Sequence, residues 1–294
     1  MKAVFTVLVT GASGLLGTAV IRRLKGDGLA VVGLCGKHVS PGLIPVDLMQ
    51  RDAVLDLARL EWDALVNCAA FRSPDFCEQA RAPARVLNAQ MPGWLARMAE
   101  ARRAPFVHIS TDYVFPGTHP PYHEESVTGP VNFYGETKVE SETAVRDAHS
   151  AALILRIPAL YGCPGSPVVS PLLQEGLEAA MGCDPLTLDD GIVRYPTFVD
   201  DVAAVIAQAI PRRLSGILHV SAGESATRYA WACRLCGWLG RDPARLSPGA
   251  PAANRPARRP VDSHLSTVKL ERLGFPVPRP FSDVVPGLLK EAGL

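Results

Sequence analysis

Three side chains in two short runs have the types and spacing of a carbonyl-reducing site. The apolar run Val107 to Ile109 ends in the hydroxyl pair Ser110-Thr111. Beyond a Pro/Gly-rich loop, Tyr134 and Lys138 stand four positions apart in Tyr-Gly-Glu-Thr-Lys. On a helix, i and i+4 share a face, so the phenol and the ammonium point the same way. An ammonium beside a phenol favours the phenolate, so the expectation is a Tyr134 pKa drawn from about 10 towards neutrality. Such a tyrosine can give a proton to a carbonyl oxygen under reduction, and Thr111 can hydrogen-bond the same oxygen. Tyr-x-x-x-Lys also occurs on ordinary surface helices, so the surrounding elements have to decide.

The start of the chain decides in favour of chemistry. Val4 to Val9 is a short β-branched run that reads as a buried strand. It runs into Thr-Gly-Ala-Ser-Gly-Leu-Leu-Gly, with Gly11, Gly14 and Gly17 spaced Gly-x-x-Gly-x-x-Gly. Ala19, Val20, Ile21 and Leu24 then give a helix that Gly26 and Gly28 end. Strand, glycine turn and helix in that order form a dinucleotide fingerprint. The glycines permit a tight turn, and backbone N–H groups at the helix start approach a pyrophosphate. Leu29 to Leu34 reads as the second strand, followed by Cys35-Gly36-Lys37-His38. An NAD site wants a carboxylate there for the ribose 2′-hydroxyl. Lys37 and His38 instead suit a 2′-phosphate, so NADP(H) is expected over NAD(H).

Further strands are read at Ala64 to Asn67, Pro105 to Ile109 and Ala151 to Leu155. Asn67-Cys68-Ala69-Ala70 supplies small residues against which a cofactor can lie, and Asp47 is a candidate for the adenine edge. Glu78 to Arg103 reads as one long helix with interruptions at Pro83 and Pro92. Tyr134 to Ala148 is the next helix. This alternation predicts an α/β fold: a Rossmann-type, doubly wound parallel sheet with a smaller C-terminal α/β substrate-binding part. Residues 1–162 form the expected cofactor domain and 163–294 mainly the substrate part, with 196–222 returning to the first. In the second part, helices are read at Leu172 to Met181, Val202 to Ile210, Tyr229 to Leu239, Ser266 to Leu273 and Phe281 to Glu291, with a strand at Gly216 to Val220. Ser247 to Pro260 reads as a loop whose Arg255, Arg258 and Arg259 can take phosphates bidentately or stay solvated.

Composition sets the outer bounds. With 294 residues, 48% hydrophobic and 20% charged, the chain can bury a sizeable core. A net charge of +1 speaks against a nucleic-acid partner. No stretch is long and apolar enough for a membrane span, and the first residues lead into the glycine motif rather than a cleavage site. Seven cysteines give no secreted framework; Cys233 and Cys236 form a Cys-x-x-Cys on a helix, read as structural. Reduced cysteines suit the cytoplasm. No metal is expected.

With these residues in place, the chain resembles the extended short-chain dehydrogenase/reductases. Ser110-Thr111-Asp112-Tyr113-Val114-Phe115-Pro116-Gly117, Tyr134 to Lys138, Arg156 with Tyr161-Gly162, and Arg194-Tyr195-Pro196-Thr197 resemble the dTDP-4-dehydrorhamnose reductase family. The resemblance implies Tyr134 as proton donor, Lys138 on the nicotinamide ribose, and Thr111 on the substrate carbonyl. It places Asp112 and Tyr113 beside the sugar. It lines the cofactor with Ala12, Ser13, Gly14, Leu15, Cys35, Gly36, Lys37, Val46, Asp47, Cys68, Arg72 and Leu160. The implied substrate is a small carbonyl compound, a nucleotide-activated 4-keto-6-deoxy sugar first of all, bound also by Arg259; a homodimer is allowed. Those reductases carry a tryptophan where this chain has Ala159. A large stacking surface is therefore absent, which opens the pocket to another small biosynthetic carbonyl. Pro120 to Glu125, Leu155 to Gly162 and the Arg259-Pro260 region also resemble the regulatory β subunit of methionine adenosyltransferase, which implies an NADP-binding subunit without turnover as the alternative.

Overall fold

The computed structural model describes residues 4–36, 40–162, 171–251 and 254–294. The first half alternates strand and helix: β1 (Thr6–Thr10), α1 (Leu15–Gly26), β2 (Ala30–Cys35), β3 (Ile44–Pro45), α2 (Arg51–Asp56) and β4 (Ala64–Asn67). There follow α3 (Pro74–Gln79), α4 (Arg81–Arg85), a π turn (Val86–Gln90), α5 (Met91–Ala101), β5 (Phe106–Thr111), α6 (Phe133–Ala148), β6 (Leu153–Ile157) and β7 (Leu160–Tyr161). The rest is α7 (Pro171–Met181), β8 (Leu186–Asp189), β9 (Thr197–Phe198), α8 (Val199–Ala209), β10 (Gly216–His219), α9 (Arg228–Trp238), β11 (Leu246–Gly249), α10 (Val268–Arg272) and α11 (Phe281–Glu291).

Seven strands make one parallel sheet in the order β10-β6-β5-β4-β1-β2-β3. The order reverses between β1 and β4, which opens a crevice at their carboxyl ends. Register brings Thr10 level with Asn67 and Thr111 level with Ile157. Alternation along each buried strand sorts the core into two layers. Val7, Val9, Val66, Val107 and Leu155 pack on the layer of α1 and α8. Leu8, Leu65, Phe106 and Ile154 pack on the opposite layer with Leu95 of α5. Both faces are apolar, as a parallel sheet covered by helices requires.

Most expected elements stand within two or three residues of their expected ends. The segment read as one helix over Glu78 to Arg103 does not. It breaks into α3, α4, the π turn and α5. Pro83 lies in the first turns of α4, and Pro92 at the start of α5, where a missing N–H interrupts no helical bond. The short β3 and α2 carried no readable period, and the stretch read as loop from Ser247 begins with β11, which pairs with β8. Among the described residues, no helix is long and apolar enough to cross a membrane.

Candidate active site

The crevice is floored by the glycine turn. Gly11 has φ +63, and a Cβ there would stand 2.8 Å from the Ala69 nitrogen, so the turn presses against the end of β4. A Cβ on Gly17 would overlap the Gly11 carbonyl oxygen, which explains the third glycine. Gly14 caps α1 without any side-chain hydrogen bond, and the first turn holds no acidic residue. A helix start ordinarily satisfies its orphan N–H groups with a Ser or Asp side chain. Here those donors and the positive helix end are left for an anion. The residues present therefore fit the pyrophosphate of a dinucleotide.

Around this floor the expected cofactor residues fall into two sets. Ala12, Ser13, Leu15, Cys68, Ala69 and Leu160 gather near the crevice with Gly11 and Gly14, and all except Ala12 are half-buried. Burial pushes the Cys68 thiol up to about 12, so it is a neutral wall. Cys35 is 1% exposed and its carbonyl accepts from the Val46 nitrogen at 2.8 Å, so its thiol belongs to the core. Gly36 and Asp47 lie exposed at the end of this edge. Asp47 Oδ1 accepts from the Met49 nitrogen at 3.0 Å and shapes the turn before α2. Arg72 is exposed in the loop after β4. Lys37 and His38, on which the NADP expectation rests, lie outside the described residues.

The three residues expected to react are held from β5 and α6. Thr111 ends β5 and caps a short 3₁₀ turn, Asp112–Val114, accepting from the Tyr113 nitrogen at 3.2 Å. Its hydroxyl donates to Asp112 Oδ1 at 3.0 Å and lies within hydrogen-bonding reach of the Tyr134 phenol. Ser110 points to the other face, where it donates to Glu142 Oε1 at 2.6 Å, so only Thr111 serves the crevice. Asn132 caps α6 through the Gly135 nitrogen at 2.9 Å. A Cβ on Gly135 would overlap the Tyr113 carbonyl oxygen. This close approach brings the rings of Tyr134 and Tyr113 edge to face, 5.9 Å apart. Lys138, one turn on, is 2% exposed and donates to the Ile109 carbonyl at 2.7 Å.

The electrostatics correct one expectation. The Tyr134 pKa is not drawn towards neutrality but pushed well above the usual phenol range. Burial is the main cause; Asp112, Cys77 and Tyr113 add to it, and the Thr111 hydrogen bond opposes it. Lys138 spends its ammonium on the Ile109 carbonyl, and burial pushes it down to about 8 against the pull of Glu142 and Cys77. The Tyr134 phenol therefore keeps its proton at neutral pH.

The residues expected beside a substrate join both halves of the chain. Asp112 is 2% exposed, and its carboxylate accepts from Ser263 and Thr111. Burial raises its pKa while Arg194 opposes the rise. Arg194 donates to the Tyr113 hydroxyl at 3.0 Å and lies over the Tyr113 ring at 5.2 Å. Ala159 is half-buried, its carbonyl bonded to the Thr197 nitrogen at 2.9 Å. Arg259 meets Asp75 in a two-pronged pair of 2.7 and 3.0 Å, so here it closes the C-terminal segment onto α3 rather than standing open for a phosphate.

Sequence reasoning missed several contributors. Asn88, in the π turn, holds the Phe71 backbone from both sides at 2.8 and 3.0 Å and reaches Thr137 at 3.3 Å. Glu142 and Arg156 form a buried pair at 2.7 Å behind Ser110. Arg194 was visible only as part of a motif, and Ser263 had no local signal at all, being 151 residues from its partner.

A parallel sheet with its switch point at a glycine turn, and a Thr with Tyr-x-x-x-Lys at the same edge, define an extended short-chain dehydrogenase/reductase fold. Within that class, residues 5–293 match the family described as RmlD substrate binding domain, and the chain belongs to it. It is 35% identical over 281 residues to methionine adenosyltransferase 2 subunit beta of Rattus norvegicus, covering 94% of this chain and 84% of that one. It is 34% identical over 272 residues to the probable low-salt glycan biosynthesis reductase Agl14 of Haloferax volcanii, covering 90% of each. A solved dTDP-4-dehydrorhamnose reductase from Bacillus anthracis, in complex with NADP, superposes with a TM-score of 0.84 at 25% identity, covering 98% of this chain and 99% of that one.

Proposed function

We propose that this protein is an NADP(H)-dependent reductase acting on a ketone, first of all that of a nucleotide-activated 4-keto-6-deoxy sugar. The observation that carries the reading is Thr111, Tyr134 and Lys138 gathered at the carboxyl edge of the sheet beside an uncapped helix start. The glycine turn and the first N–H groups of α1 would hold the pyrophosphate, with Lys138 towards the nicotinamide ribose, and a nicotinamide bound there would provide hydride for the carbonyl carbon. Thr111 orients the carbonyl oxygen, and the protonated Tyr134 gives it the proton, so that ketone, hydride and proton together give the alcohol. Residues 1–162 with the 196–222 return hold the cofactor; Asp112, Tyr113 and the remaining C-terminal part take the substrate. Preference for NADP(H) rests on Lys37 and the missing carboxylate after β2, and a cytoplasmic setting goes with the reading.

A second reading is a cofactor-binding regulatory subunit without turnover, favoured by the 35% identity to methionine adenosyltransferase 2 subunit beta. One assay separates the two. Purified protein is given NADPH or NADH and a panel of nucleotide-linked 4-keto sugars, and nicotinamide oxidation is followed. Turnover preferring NADPH and lost in Tyr134→Phe, with cofactor binding kept, supports the reductase. Unchanged turnover in Tyr134→Phe removes Tyr134 as donor. Tight NADPH binding with no turnover, and co-purification with a methionine adenosyltransferase catalytic subunit, establishes the second reading.

A further inference from the structure

Lys138 stands at one end of a buried polar chain that the reaction above does not use. Thr10 of β1 donates to Asn67 Oδ1 of β4 at 2.6 Å. Asn67 Nδ2 lies 3.0 Å from His108 Nδ1 of β5. His108 Nε2 lies 3.0 Å from Ser141 Oγ and 3.3 Å from Lys138 Nζ, both of α6. Thr10, Asn67, His108, Ser141 and Lys138 are each at most 2% exposed. Unsatisfied groups would be costly at this depth, so every donor needs an acceptor.

Donor accounting fixes the imidazole. Asn67 Oδ1 already accepts from the Thr10 hydroxyl and from the Ala69 nitrogen at 3.2 Å. That assigns its amide N–H to His108 Nδ1, which must accept. The ring proton therefore sits on Nε2. The ring is neutral, because burial and Lys138 hold its pKa well below the usual value. The Ser141 hydroxyl spends its own proton on the Lys138 carbonyl at 2.7 Å, so its oxygen is free to accept. The Nε2–H thus faces two neighbours. An ammonium has no lone pair, so beside charged Lys138 the N–H goes to Ser141. A neutral amine has one, and the same N–H can then serve Lys138.

We propose that His108 is a positioning residue that sets the protonation state of Lys138, its fixed Nε2–H swinging from Ser141 Oγ to the Lys138 nitrogen when that nitrogen loses its proton. No proton leaves His108 in this exchange; one hydrogen bond breaks and another forms. The other ionisable groups facing Lys138 are the Cys77 thiol of α3, pushed up to about 11 mainly by burial, and Glu142 of α6. Tyr134 shares the α6 face. Glu142 favours the ammonium but is itself tied to Arg156 of β6, which lies 3.4 Å from His219. His108 is the group whose hydrogen bonding differs between the two forms of the amine. It would let Lys138 lose and recover a proton without leaving a buried group unpaired.

The inference deepens the role proposed for Lys138, yet its test needs neither cofactor nor turnover. The chain has six lysines (Lys2, Lys25, Lys37, Lys138, Lys269 and Lys290), few enough to resolve by NMR of protein carrying ¹³Cε-lysine. The Lys138 resonance is the one missing from Lys138→Met. Its titration midpoint is expected to rise by about one pH unit in His108→Leu, where the neutral amine loses its donor. It is expected to fall by a similar amount in Ser141→Ala, where the N–H has only the amine to serve. His108→Gln, which keeps an N–H, should stay near the wild-type midpoint. If His108→Leu does not fold, Ser141→Ala and His108→Gln decide. Unmoved midpoints, or shifts of one sign in both His108→Leu and Ser141→Ala, overturn the proposal. Opposed shifts in a protein that reduces nothing would uphold it while sinking the reductase reading.

Discussion

Replacing Lys138 with methionine should make the protein more stable near neutral pH and progressively less so in alkali. Lys138 is 2% exposed, and burial pushes its pKa from the ordinary 10.5 to about 8. Each pKa unit is about 1.4 kcal/mol, so the buried ammonium costs about 3 kcal/mol relative to the unfolded chain. Methionine fills similar volume without charge. It also abandons the Ile109 carbonyl, bonded at 2.7 Å in the wild type, at a cost of about 1 kcal/mol. The net gain near pH 7 is then about 2 kcal/mol.

The sign of the pH dependence follows from linkage. Below pH 8 both the folded and unfolded forms carry the proton, and the cost is present in full. Between about 8 and 10.5 the unfolded chain binds more protons than the folded one, so wild-type stability rises relative to the variant. By about pH 9.5 the two effects nearly cancel, and the advantage of Lys138→Met should be gone. Urea unfolding of both proteins across this range measures the difference, with ionisations common to both cancelling. A variant that is less stable at pH 7, or whose advantage stays constant to pH 9.5, would refute the argument that an unfavourably buried charge is kept here for function.

Other perturbations probe neighbouring links. Glu142→Gln leaves Arg156 charged and 3% exposed, and should cost about 3–5 kcal/mol in urea unfolding. Gly17→Ala places a methyl on the Gly11 carbonyl oxygen and should weaken NADPH binding, read by calorimetry, at least about tenfold, or about 1.4 kcal/mol; Gly26→Ala, with open space around its Cβ, is the matched control. Asp75→Asn removes the partner of Arg259 and should speed tryptic cleavage after Arg258, an exposed residue of the segment the pair holds down. The Asp75 carboxyl is held below its usual range first by the Arg259 hydrogen bond, so acid should loosen that segment only as pH falls through this lowered value.

What could be read in the sequence was what repeats locally. The β-branched run into Gly11, Gly14 and Gly17 needs only neighbouring residues to specify a strand, a turn and a helix, and a parallel sheet follows from the alternation, whereas the strand order β10-β6-β5-β4-β1-β2-β3 does not. Tyr134 and Lys138 were legible because an i, i+4 pair is a local fact. The acidity of Tyr134 was not, because it depends on where the ammonium goes: to a carbonyl of β5, at Ile109, rather than to the phenol. The π turn was equally hidden. Its marker, Asn88, reads as an ordinary helix residue until its side chain is seen clamping the Phe71 backbone.

Arg259 and Ser263 show why the C-terminal part resists sequence reading most. Arg259 has the right chemistry for a phosphate, but 184 residues away Asp75 offers a carboxylate in matching two-pronged geometry, and the pair forms. Ser263 has no chemistry of its own to advertise, yet it completes the bonding of Asp112, a carboxylate buried at the crevice. Both contacts, with the hydrogen bond from Asn132 Nδ2 to the Arg258 carbonyl at 2.7 Å, bind residues 257–263 to α3, the 3₁₀ turn and the start of α6. The segment therefore orders the same two structures that carry Tyr134 and Tyr113. Arg259 is therefore held by Asp75, and its guanidinium would have to leave that pair before it could take a phosphate in the same two-pronged way.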